Sequence, residues 1–231
     1  VYAPHVHGED GLLGIGLPAP QKKASFYKAW DFIYEEAVAQ KGELQIIAVG
    51  PLTNLGIALA ANQDLAGMIK RIVIMGGAAA GGNVTPCAEF NIYVDPEAAD
   101  LVMRSGIPLC VCGLDVTLKA YLTAKEISGI KALGTPQAEL FGAVTEQNCE
   151  KIFCPEGAPL HDPAAVLFAA DESLFTSQRC WMRVETTGSI TRGKTVTDCY
   201  SDAQKEANVD LVLDVDRERF AAKVREIMER Y

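Results

Sequence analysis

Four short segments combine residue types that could do chemistry. In one, Met75-Gly76-Gly77 leads through Gly81-Gly82-Asn83 to Glu89-Phe90-Asn91. Glycines after an apolar run invite a dinucleotide or phosphate reading. Here, however, the run leads into Pro86 rather than a helix start, and no Lys–Ser/Thr pair follows. Amides beside one carboxylate suit sugar hydroxyls better than phosphate, which Glu89 would repel. Glu89 and Asn91 are two residues apart, so in extended chain both would face one pocket. In His161-Asp162-Pro163 a proton donor stands beside a carboxylate, but Asp before Pro is also a standard helix N-cap, and the two readings are level. Within Gly50-Pro51-Leu52-Thr53-Asn54, Thr53 could turn its carbonyl to a ligand or hard cation, although capping a helix is the commoner use. The segment from His7 to Gly14 is glycine-rich, and His7 could reach a ligand; a solvated turn is the plainer reading.

These segments need strands and helices to position them. Residues 24–41 predict a helix, with Phe26, Trp30, Ile33 and Ala37 on one stripe. Short apolar strands are predicted at 44–49, 71–75 and 108–112, with helices at 52–62 and from Asp95-Pro96 to Arg104 between them. Thr123 and Glu126 form a capping-box pattern opening another helix, and helices follow at 136–152 and 164–170. The last third predicts antiparallel strands at 179–187 and 196–200, a strand at 207–215 and a terminal helix at 217–231. Apolar strands separated by amphipathic helices are βαβ units, which implies an α/β fold with an open, mostly parallel sheet covered by helices on both faces. Ligands of such sheets bind beyond the carboxyl ends of the strands, so polar or glycine-rich segments that follow a strand are site candidates.

Composition narrows the classes. The chain has 231 residues, 49% hydrophobic and 22% charged, with a net charge of −9, which excludes intrinsic disorder and gives no basic footprint for nucleic acid. No run of eighteen apolar residues suggests a membrane span, and the first residues show no signal-peptide pattern. Seven cysteines are an odd count, which fits reduced thiols in a cytoplasmic protein better than a disulfide framework. Cys110 and Cys112 lack further ligands at zinc-finger spacing, and core packing is the expected role. A single domain over 1–231 is expected.

Together the motifs resemble the nucleoside hydrolases, the inosine–uridine preferring N-ribohydrolase family. The resemblance is carried by His7-Gly8-Glu9-Asp10-Gly11-Leu12, by Val49-Gly50-Pro51-Leu52-Thr53-Asn54-Leu55, and by Met75-Gly76-Gly77 with Gly82-Asn83. It continues through Glu89-Phe90-Asn91 with Asp95-Pro96-Glu97-Ala98-Ala99, and His161-Asp162-Pro163. These motifs stand in the family's order over nearly the whole chain, least clearly after residue 175.

The resemblance implies a Rossmann-like fold, one Ca²⁺, and cleavage of the N-glycosidic bond of a small ribonucleoside through an oxocarbenium-like transition state. By motif position, the Thr53 main-chain carbonyl and the Asp162 carboxylate would be calcium ligands. Asn83, Glu89 and Asn91 would hold ribose hydroxyls, and Met75 would line the sugar face. His161 would protonate or orient the departing base, and His7 would contact it from a loop. Assembly as a dimer or tetramer is also implied. The family's aspartate-rich Asp-x-Asp-x-Gly-x-Asp-Asp run does not occur in this sequence, so the expectation is a family enzyme incomplete at its N-terminus. The same missing aspartates suggest a second reading, a non-catalytic nucleoside-binding or scaffold homologue. Phosphorolytic ribosyl transfer ranks last, because the four segments carry no Arg or Lys with which to hold phosphate.

Overall fold

The computed structural model describes residues 4, 8–11, 14–17, 19–151, 156–199 and 206–231. Helix α1 (Ala29–Gln40) ends where Lys41 turns left-handed beside Gly42. It starts later than its apolar stripe predicts: Phe26 stands fully exposed ahead of it, while Trp30 and Ile33 pack on the core. Next in the chain come β1 (Leu44–Ala48), α2 (Thr53–Ala61), β2 (Ile69–Met75), α3 (Phe90–Val94), α4 (Pro96–Met103), β3 (Leu109–Cys112) and the one-turn α5 (Leu114–Thr117). After these come β4 (Tyr121–Leu122), α6 (Ala124–Lys131), α7 (Pro136–Lys151), β5 (Ala158–Pro159) and α8 (His161–Ala170). The chain closes with β6 (Phe175–Val184), β7 (Thr195–Asp198), β8 (Val209–Val215) and α9 (Arg217–Met228).

The chain divides into two compact units. The larger spans 25–117 and 161–214 and holds a six-stranded sheet in the order β1-β2-β3-β8-β6-β7. The first four strands are parallel, with Ile46 opposite Ile72, Ile74 opposite Val111, and Val111 opposite Leu211. Ile72, Val73, Ile74 and Met75 are all buried, as are all four residues of β3, so the end of β2 and the whole of β3 read as unbroken apolar runs. Cys110 and Cys112 lie in β3 and do pack in the core; burial pushes the Cys110 thiol up to about 11.

Helices pack on this sheet at close range. Gly56 of α2 lies against α4, where an added Cβ would come within 2.7 Å of the Ala98 Cβ. Asp95 caps α4 by accepting from the Ala98 amide, with Pro96 at the first position, as the sequence predicts. From the same helix, the buried Asp100 carboxylate accepts from Arg183 Nε at 2.6 Å and Nη2 at 2.9 Å, which ties α4 to β6. Strand β6 in turn pairs antiparallel with β7, Trp181 opposite Asp198 and Val184 opposite Thr195.

The smaller unit comprises 1–24, 118–160 and 215–231. Strands β4 and β5 form a short antiparallel pair, Leu122 opposite Ala158. The Thr123–Glu126 capping box opens α6, and the same Glu126 carboxylate accepts from Arg217 at the start of α9.

Candidate functional site

Parallel strands β1, β2 and β3 deliver their carboxyl ends to one edge of the sheet, where Thr53 follows β1, and Met75, Asn83, Glu89 and Asn91 lie at or after the end of β2. Glu89, Asn91 and Met75 form the tightest group. The Glu89 carboxylate is buried and accepts three backbone amides: Gly77 at 2.9 Å, Asn91 at 3.0 Å and Ile92 at 3.2 Å. It is the N-cap of α3, so Glu89 and Asn91 meet through a helix start rather than through the extended chain expected from their spacing. Burial raises the Glu89 pKa against the pull of those amides, and the charge of Asp162 adds to the rise. Asn91 Nδ2 donates to the Met75 carbonyl at 3.1 Å and lies 3.3 Å from its sulfur, which fixes the amide beside the thioether. The Asn83 side chain is exposed, and its oxygen accepts from the Phe90 amide at 2.9 Å.

His161 is the first residue of α8, and its Nδ1 lies 2.7 Å from the Thr117 hydroxyl. Burial lowers the imidazole to about 4, so the ring is neutral at pH 7. Asp162 falls inside the first turn of the same helix, where its carboxylate meets the positive end of the helix dipole. The N-cap reading of Asp162 is corrected, since the helix begins three residues before the predicted start. Thr53 does not cap α2 either: Leu52 occupies that position without a side-chain bond, and the Thr53 hydroxyl donates to Asp95 at 2.6 Å. His7 lies outside the described residues.

Three residues that the sequence did not single out hold the glycine-rich segment in place. Gly77 has φ 78°, and a Cβ there would come within 2.8 Å of Thr195 Cγ2. The Thr195 hydroxyl accepts from the Ala78 amide at 2.9 Å and donates to its carbonyl at 2.7 Å. Asp115 accepts from the Ala79 and Ala80 amides at 2.8 and 3.3 Å. Lys194 Nζ donates to the Ala78 and Ala79 carbonyls at 2.9 and 2.8 Å. A cation therefore does reach this segment, contrary to the absence inferred from the loops alone. Its ammonium is bound to backbone carbonyls, and burial lowers its pKa. These partners lie 35 to 117 residues away in sequence, and no local pattern signals them.

The donors suit a hard cation in kind. The Thr53 carbonyl and the Asp162 carboxylate offer oxygen donors of the kind such an ion prefers. They make a partial set: among the described residues, no three His, Cys, Asp or Glu gather as a metal cluster.

The chain is similar to known proteins over nearly all of its length. A family model described as inosine-uridine preferring nucleoside hydrolase matches residues 1–222. The pyrimidine-specific ribonucleoside hydrolase RihA of Shewanella sp. (strain ANA-3) is 41% identical over 94% of this chain and 70% of its own length. Its counterpart of the same name in Salmonella typhimurium is 40% identical, covering 100% of this chain and 76% of its own. Among solved structures, a plant nucleoside hydrolase matches with a TM-score of 0.92 at 30% identity, covering 100% of this chain and 76% of that one. A purine-preferring ribonucleoside hydrolase from Gardnerella vaginalis matches with a TM-score of 0.90 at 32% identity, covering 99% and 75%.

Proposed function

The chain belongs to the inosine-uridine preferring nucleoside hydrolase family, and from that premise we propose a specific division of labour in hydrolysing the N-glycosidic bond of a ribonucleoside. The observation that carries the reading is the buried Glu89–Asn91–Met75 group at the end of β2, with His161 and Asp162 at the start of α8. Asn83, Glu89 and Asn91 bind the ribose hydroxyls, and the Met75 sulfur packs on the sugar face. Backbone amides already orient Glu89, so the pocket spends little further ordering on the sugar. Water adds at C1′ as the bond to the base nitrogen breaks, through an oxocarbenium-like transition state that carboxylates stabilise.

His161 presents an N–H to the departing base, whose negative charge makes it a poor leaving group without a donor. His7 belongs to the same reading as a second contact to the base. The Thr53 carbonyl and the Asp162 carboxylate contribute ligands to Ca²⁺. Bound there, that ion would grip the sugar diol and lower the pKa of the attacking water. The names of the relatives at 40–41% identity support a preference for pyrimidine nucleosides. Cys87, Cys110, Cys112, Cys180 and Cys199 are free thiols, which supports a reducing, cytoplasmic setting. Among the described residues, no helix is long and apolar enough to cross a membrane. A homo-oligomer, dimer or tetramer, completes the reading.

The test is release of free base from uridine, cytidine and inosine with Ca²⁺ present, in the native protein and in His161→Ala. We expect uridine and cytidine to turn over faster than inosine. The substitution should slow nucleosides by about 10²-fold or more while leaving nitrophenyl ribosides, whose leaving groups need no proton, much less affected. Equal slowing of both substrate types would refute the donor role.

A further inference from the structure

Among the described residues, the side-chain hydrogen-bond partner of the His161 imidazole is the Thr117 hydroxyl, 2.7 Å from Nδ1. Thr117 has no exposed surface, and its Oγ1 makes no other hydrogen bond among the described residues. The two groups have unequal needs. A buried hydroxyl proton without an acceptor is costly, whereas an unused hydroxyl lone pair is tolerated. Were the ring to carry its proton on Nδ1 and donate to Oγ1, the hydroxyl hydrogen would be left in the interior with no acceptor. The bond therefore runs from Thr117 to the ring: Oγ1–H donates, Nδ1 accepts, and the proton of the neutral ring stays on Nε2.

We infer that Thr117 is a positioning residue that holds His161 in its Nε2–H tautomer and so presents a hydrogen on the ring edge away from Thr117. The role attributed to that hydrogen rests on the reading of His161 as donor to the departing base. The tautomer itself rests only on the bond and on the burial of the hydroxyl. Location strengthens the assignment. Thr117 ends α5, whose Leu114 amide is bonded to the Gly77 carbonyl at 2.9 Å, so the hydroxyl is anchored to the strand ends that carry the sugar-binding candidates. A buried hydroxyl bonded to the far nitrogen orients a ring and selects its tautomer, as the partners of other histidines do.

The tautomer can be read directly. The chain has three histidines, so long-range ¹H–¹⁵N spectra of the labelled full chain at neutral pH are simple, and His161→Gln identifies the signals of interest. Nδ1 should appear unprotonated and Nε2 protonated in the native chain and in Thr117→Ser. In Thr117→Val the population should shift toward Nδ1–H. A native ring protonated on Nδ1, or a Thr117→Val spectrum indistinguishable from the native one, would overturn the inference. If the valine variant melts early, the native and serine spectra still decide the tautomer.

Kinetics supply the second readout. Thr117→Val should lower kcat for uridine by roughly ten-fold, with KM little changed and nitrophenyl riboside turnover preserved, and Thr117→Ser should recover the loss. The two readings fail separately. If His161→Ala leaves nucleoside turnover unchanged, the donor role is lost while the tautomer assignment stands on its spectrum. If His161→Ala is slow but Thr117→Val keeps the native tautomer, the donor role stands and the positioning role of Thr117 falls.

Discussion

A carboxylate buried against three amides, an amide pinned beside a thioether and an imidazole bonded to a hidden hydroxyl have one thing in common: each candidate side chain is held in place by the protein's own groups. Sequence could expose the members of these groups that are close in the chain. Glu89, Asn91, His161 and Asp162 stand in short motifs, and their chemical types alone point to sugar hydroxyls and a proton donor. It could not expose Thr117, Lys194 or Thr195, because their roles exist only after strands distant in sequence are brought side by side. It also misjudged local geometry: Thr53 and Asp162 are each inside a helix, and neither stands at the capping position that its type favours. Thr195 offers a direct check on the fixing of the glycine-rich segment. Thr195→Val keeps the volume but strips the Ala78 amide and carbonyl of their buried partner. The expected cost is about 1–3 kcal/mol. For a chain of this size that corresponds to a fall in melting temperature of about 2–4 °C per kcal/mol, readable by calorimetry. An unchanged melting temperature would mean that the segment does not depend on this hydroxyl.

Among the elements, strands buried on both faces are the easiest to read, since Ile72–Met75 at the end of β2 and the whole of β3 are continuous apolar runs that admit little else. The five-residue α3 was invisible, being too short for a helical period to register. Helix α1 was overestimated because Phe26 continues the apolar spacing without continuing into the core. The antiparallel pair β6–β7 matters most for the site, since β7 begins with Thr195 and is preceded by Lys194. Asp100 fastens that pair to α4. Burial pushes the Asp100 carboxyl upward, but the Arg183 guanidinium, the Val184 amide and Arg104 outweigh it and hold the group below its ordinary value of 3.8. A carboxyl with a depressed folded pKa stabilises fully above its unfolded value, and loses that contribution as pH falls through the folded one. Asp100→Asn should therefore lower the melting temperature at pH 7, with the gap to the native protein narrowing as pH drops below the ordinary carboxylate range. A gap that stays constant into strong acid would show that shape rather than charge fastens the pair.

At the scale of the molecule, the chain leaves the larger unit after Thr117 and re-enters it at His161, with the intervening 118–160 counted in the smaller one. The bond between those two side chains closes the base of that excursion, and one step further out the Leu160 amide donates to the Ala120 carbonyl at 2.8 Å. Closure of a flexible loop depends only on the logarithm of its length, so doubling the excursion would cost about 0.6 kcal/mol. Gly134, exposed and at φ 68° between α6 and α7, is a suitable place to try it. An insertion of ten or so flexible residues there should lower stability by less than about 1 kcal/mol, and should leave the tautomer of His161 unchanged in its spectrum. A displaced imidazole signal would contradict this. The wider consequence is a separation of tasks along the chain: the pair that aims the proton marks the two ends of a cassette, and its contents are free to diversify without re-aiming the ring.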